Sequence, residues 1–146
     1  MKRKIWILIV ILVALFLIPA VLTFAFGGPT NPPVQNQVSW DSPTTKDLFY
    51  RACADCHSNE TQWPWYSNIP PVSLLVVRDV NEGREKFNIS QPNMGEAEDA
   101  AEAVMEGEMP PNIYLLMHPS ARLNDAEKQQ LIDGLLKTFG GESGGD

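Results

Sequence analysis

The chain has 146 residues with 18 acidic against 11 basic side chains, a net charge of −7, which argues against nucleic acid as a partner. It contains two cysteines and two histidines, a poor fit to a disulfide-rich scaffold. Its length leaves room for one domain of ordinary size after an apolar N-terminus.

Met1-Lys2-Arg3-Lys4 precedes 22 uncharged residues, Ile5 to Phe26. A helix of about 20 apolar residues crosses a bilayer core, and basic residues ahead of it favour a cytoplasmic start. Residues 1–26 are therefore predicted to be an N-terminal membrane anchor. A cleaved signal peptide is the alternative, since Ala25-Phe26-Gly27 offers small residues for cleavage, although such apolar regions run to about 7–15 residues. Either reading puts the remainder outside the cytoplasm, and in the anchor reading the chain crosses the membrane once.

Residues 27–41 are rich in Pro, Gly and polar side chains without a period and read as a linker. Its Pro-rich start is expected to run extended and hold the domain off the membrane, with Trp40 reaching the domain. Residues 42–139 form that domain. Ser42-Pro43 signals a helix start, and a helix over 43–54 turns Leu48, Phe49 and Ala52 inward.

That helix delivers Cys53-Ala54-Asp55-Cys56-His57, the C-x-x-C-H pattern of covalent haem attachment. Two thiols on one helical turn match the separation of the haem vinyl groups, and the next residue, His57, is placed to give the iron an axial nitrogen. Three other readings compete. A thioredoxin-like dithiol wants a preceding buried strand, and no β-branched run is present. A zinc site wants four Cys or His ligands together; the chain has two of each, and the other histidine, His118, is 61 residues on. A disulfide between Cys53 and Cys56 would close a very small loop.

Ser58 to Thr61 reads as polar loop, and Trp63-Pro64-Trp65-Tyr66 as a loop that packs. A second helix is predicted over 71–86, with Val72, Val76 and Val80 at helical spacing and Leu75 beside them facing inward. A third runs over 95–106 with Ala97, Ala100, Ala101, Val104 and Met105 on one side and Gly107 as its stop. Glu96, Glu98, Asp99, Glu102, Glu106 and Glu108 fall in a stretch without Lys or Arg. They read as a solvated face or as a docking surface for a basic redox protein.

Glu108-Met109-Pro110-Pro111 offers the second axial ligand. Met109 lies 52 residues after His57, and Pro110 and Pro111 stiffen the loop presenting its thioether. Met94, Met105, Met117 and His118 compete for the role. A short helix is expected over 112–117. Asn124 and Glu127 then form a capping box ahead of Leu131, Ile132, Leu135, Leu136 and Phe139, and Gly140 ends the run. The tail, 140–146, is expected to be disordered. The expected fold class is all-α, a bundle of four to five helices around one covalent haem (haem c).

These residues resemble a family. Cys53 to Thr61, Trp63 to Ser67, Arg78-Asp79-Val80-Asn81-Glu82-Gly83-Arg84, Gly107 to Pro111, His118-Pro119 and Arg122-Leu123 resemble the small bacterial haem-binding domain of membrane-tethered c-type cytochromes, with a class I cytochrome c-like fold. The resemblance implies that His57 gives its free N–H to a proline carbonyl, Pro70 first and Pro71 second. It implies further that Trp63, Trp65 and Tyr66 wall the haem edge, that Arg78 pairs with a propionate, and that Tyr114 packs on the distal face. The expected function is one-electron transfer between redox partners, either alone or as a module of a respiratory complex, with no catalysis of its own. A gas sensor or peroxidase with a labile distal ligand is the alternative.

Overall fold

The computed structural model describes residues 2–140. Apart from Gly140, the expected disordered tail lies outside them. The described residues are helical throughout, with no strand and a lone bridge between Phe87 and Gly95.

Helix α1, Lys2–Ala25, is continuous through Pro19 and is long and apolar enough to cross a membrane. Its last turns are held by the domain. Thr23 is buried, its Oγ1 donating to the Pro19 carbonyl at 2.8 Å and lying 2.9 Å from Ser73 Oγ. With the Thr23 proton committed, Ser73 is the donor between the two hydroxyls.

The expected spacer is instead a strap laid along the domain. Asn31 Nδ2 donates to the Thr61 carbonyl (2.9 Å), Gln35 N–H to Ser90 (2.8 Å) and Asn36 Nδ2 to Ile89 (3.0 Å). Trp40 packs on Phe49 and Phe139, and Asp41 N–H reaches Thr138. An aperiodic segment cannot join a ladder, so its backbone and Asn side chains find acceptors one at a time.

Helix α2, Pro43–Ala52, opens as expected, with Ser42 Oγ accepting the Thr45 N–H at 3.1 Å. It stops at Cys53, and a separate single turn, α3 (Ala54–His57), carries the rest of the attachment motif. A 3-10 turn over Trp65–Asn68 leads to α4, Val72–Lys86. Helix α5, Ala100–Glu106, is entered through a 3-10 turn and closed by Gly107 at φ +79°. Helix α6 is Asn112–Met117 and α7 is Asp125–Thr138, the latter with both arms of its capping box formed. Beyond α1 the described residues form six α-segments, one more than the upper expectation because α2 and α3 separate.

The inward faces of α2, α5 and α7 close one core. Phe49 is 1% exposed and contacts Trp40, Phe87 and Phe139, with Leu48, Ala101, Val104, Leu131, Ile132 and Leu135 around them. Cys53, Met94 and Met109 pack on its edge. Two expected faces shift. Met105 points out, and α4 buries Ser73, Val77 and Val80 while Val72 and Leu75 are 42% and 51% exposed.

Candidate haem-binding site

The Cys53–His57 turn is fixed from both sides. Helix α4 ends at Lys86 and Phe87 is extended, which turns its carbonyl toward His57. His57 Nδ1 is 3.0 Å from that carbonyl and donates to it, while the His57 carbonyl accepts the Ile89 N–H at 3.0 Å. The Phe87 ring lies 5.4 Å from the imidazole. Burial holds the imidazole below its ordinary pKa, so it is neutral at neutral pH, with its proton on Nδ1 and a lone pair on Nε2. No hydrogen bond to Nε2 is found among the described residues, which leaves it free for a metal.

The Pro70 expectation is therefore corrected: the acceptor is Phe87. The chain returns to His57 from the end of α4, whereas Pro70 faces a cavity of about 280 Å³ beside Phe16, Ala20, Thr23 and Phe24 of α1.

Cys53 and Cys56 are unpaired and half-buried. Burial is the main cause that pushes each thiol up to about 12, so both stay protonated. Their turn lies directly against α4 at Gly83, where a Cβ would fall 2.7 Å from the Cys56 carbonyl oxygen and 2.9 Å from Cys56 Cβ. The neighbouring Arg84 clamps the loop that follows. It donates to the carbonyls of Ser58 (2.9 Å) and Thr30 (3.0 Å), to Asn31 Oδ1 (2.8 Å) and to Thr61 Oγ1 (2.8 Å). Asn81, from the same stretch, donates to the Phe26 carbonyl at 2.8 Å. Asn59, Asn88 and Ser90 complete a buried polar belt in which each side chain is satisfied.

Met109 is half-buried on the edge of the core, its N–H donating to the Ala103 carbonyl at 3.1 Å. With Pro110, Val104, Leu115, Arg122 and Leu123 it lines a cavity of about 150 Å³. Tyr114 donates to Asp55 Oδ2 at 2.8 Å, joining α6 to the Cys53–His57 turn. Its own pKa is driven up by burial and then by Asp55. His118 stacks on Tyr114 at 4.0 Å. Its Nδ1 is 3.1 Å from the Tyr114 carbonyl and its Nε2 is 3.4 Å from Tyr66 Oη.

Among the remaining expected residues, Trp63 donates from Nε1 to Asn31 Oδ1 at 2.9 Å and lies under the Arg84 guanidinium, so it secures the strap. Trp65 is 74% exposed, edge-on to Tyr66. Arg78 is exposed and pairs with Glu82 at 3.2 Å. Three residues of the site had no role assigned from sequence: Phe87, and Gly83 and Asp55, which stood within recognised motifs. For Asp55 a signal existed, because a carboxylate in a half-buried turn requires a donor.

A family model described as a haem-binding domain matches residues 15–137. The chain belongs to that family. The match begins inside α1 and takes in the strap, in agreement with the bonds that tie both to the haem-binding domain. No curated protein and no solved structure matches the chain.

The donor set fits haem. It comprises two free thiols on one turn, an anchored imidazole with Nε2 open, and a thioether on a separate loop. Among the described residues an apolar face of α4 is only partly covered, with Val72 and Leu75 exposed and Val76 half-buried. Val72, Leu75 and Val76 lie on the side of α4 that carries Asp79, whose charge is felt at Cys56. No group of three or more His, Cys, Asp or Glu arranged to hold a metal ion occurs among the described residues.

Proposed function

We propose that this haem-binding domain is a membrane-tethered c-type cytochrome that carries single electrons. In this reading Cys53 and Cys56 would hold the haem through thioether bonds, and His57 Nε2 and Met109 Sδ would ligate its iron. The partly exposed Val72–Leu75–Val76 face would offer it apolar surface. The anchored imidazole carries the argument. A histidine whose Nδ1–H is fixed by a backbone carbonyl, one residue after two free thiols, is oriented for iron and is more basic for it.

Haem iron would supply the one-electron couple, and a methionine thioether among its ligands would raise the potential. The chain contributes orientation and access. Phe87 and Ile89 fix the His57 ring and backbone, the prolines after Met109 restrict its loop, and burial keeps both thiols protonated before attachment. Both nitrogens of His118 are engaged, which favours Met109 over His118 as the distal ligand. The expected location is the periplasmic side of the cytoplasmic membrane. The expected partner is a basic redox protein, met by the exposed acids of α5 and its flanks.

The test is absorption spectroscopy of the full-length protein, made with haem-attachment machinery and solubilised in detergent. A c-type reduced spectrum, an oxidised thioether–iron charge-transfer band and no response to carbon monoxide are expected. Met109→Ala should abolish the band and admit carbon monoxide. Survival of the band in that variant would rule out Met109. Haem that binds carbon monoxide readily in the unmodified protein would point to a sensor or peroxidase.

A further inference from the structure

Helix α6 has only six residues, none of them buried, and Ile113, Leu116 and Met117 are 68%, 74% and 59% exposed. A helix of that length has little stability of its own, yet it directly follows Met109-Pro110-Pro111. Tyr114, at its centre, donates to Asp55 Oδ2 at 2.8 Å. The other oxygen, Asp55 Oδ1, accepts the Gln62 N–H at 2.8 Å, which fixes the carboxylate. His118 stacks on the Tyr114 ring at 4.0 Å and holds its place through the Tyr114 carbonyl and Tyr66 Oη. A hydrogen bond to a carboxylate is among the stronger ones available to a side chain.

We propose that Asp55 and Tyr114 form a latch that positions Met109. The second variable residue of the C-x-x-C-H motif, through one phenol, holds α6 against the attachment turn and so keeps the distal loop closed over the iron. Tyr114 and Asp55 act through Met109 as positioning residues and need not touch the metal. The proposal rests on the His57/Met109 reading above. It adds that the closure of the distal side is set from the proximal turn by one side-chain pair.

The test compares Tyr114→Phe, Asp55→Asn and the double variant with unmodified full-length holoprotein. Tyr50→Phe serves as control, since it removes a similar phenol–carboxylate bond, Tyr50 to Glu60 at 2.8 Å, from outside the distal loop. The readouts are the thioether–iron charge-transfer band of the oxidised form and the rate of carbon monoxide binding to the reduced form. Both single variants should weaken the band and speed carbon monoxide binding about tenfold, a typical consequence of losing a bond to a charged group. The double variant should add little, because both changes remove the same bond. Met109→Ala separates the two readings. If it leaves the band intact, the ligand assignment fails. If it abolishes the band while Tyr114→Phe and Asp55→Asn behave like Tyr50→Phe, the ligand assignment stands and the latch is refuted. Additive effects in the double variant would also refute the latch.

Discussion

Gly83 shows how one missing side chain can determine the geometry of a site. The Cys53–His57 turn approaches α4 so closely that a methyl at position 83 would overlap the Cys56 backbone, and backbone cannot move aside as a flexible side chain can. Gly83→Ala should therefore destabilise the protein by about 1–3 kcal/mol, the usual range for overpacking. It should also lower the yield of attached haem, because the strain falls on the cysteine turn. Denaturant unfolding and the ratio of haem to protein measure the two effects. An unchanged midpoint with normal haem loading would show that α3 and α4 tolerate a wider separation. The same stretch supplies Asn81 and Arg84, whose acceptors include the Phe26, Ser58 and Thr30 carbonyls. Sequence marks all three residues as a group. Their purpose emerges only from the structure, since backbone carbonyls carry no identity in a sequence. The Phe87 carbonyl that anchors His57 was hidden for the same reason. The Cys-x-x-Cys-His turn itself was legible, because its donors are side chains at short spacing.

Among the elements, α7 was the most legible because its signals are local. Asn124 accepts the Glu127 N–H at 2.9 Å, Glu127 accepts the Asn124 N–H at 2.9 Å, and Arg51 of α2 reaches the same carboxylate at 2.8 Å. The Asn124 N–H, and then Arg51, hold the Glu127 carboxyl below its ordinary value of 4.5. A carboxylate with a lowered folded pKa contributes stability that is fully present above its unfolded pKa. That contribution is lost as pH falls through the folded value. The melting temperature should drop with acidification in that range, and Glu127→Gln should remove this component of the pH dependence. Parallel pH profiles for the two proteins would show that the cap does not couple to folding. Helix α4 was harder to read. Val72, Val76 and Val80 do recur at helical spacing, but its burial is centred on Ser73, Val77 and Val80. An apolar face predicts what shuns water and cannot say whether protein or a bound macrocycle covers it.

For the whole molecule, charge is the property that would govern encounters with partners of the proposed kind. Glu96, Glu98, Asp99, Glu102, Glu106 and Glu108 are all exposed and lie on α5 and the segments that lead to Met109. Only Glu96 has a basic neighbour within salt-bridge range among the described residues, Lys86 at 3.9 Å. Electrostatic steering of this kind speeds association by about 10- to 1,000-fold at low salt. Reduction of the protein by a basic electron donor should slow about tenfold as ionic strength rises toward about 0.5 M, where the Debye length is only a few ångströms. Glu102→Gln with Glu106→Gln should flatten that dependence. A rate indifferent to salt would remove the acidic face from the docking scheme.

The strap has a mechanical consequence. A flexible tether would let the domain sweep a volume and search for partners. This segment is bonded at Thr30, Asn31, Gln35, Asn36 and Asp41, and the helix before it is bonded at Thr23. The slack left between helix and domain is close to nil. With α1 in a bilayer, the domain would stand at one height and one orientation, turning only as the helix turns. Lateral diffusion of the whole protein would then set its search rate, and a partner would have to present its own surface at that height.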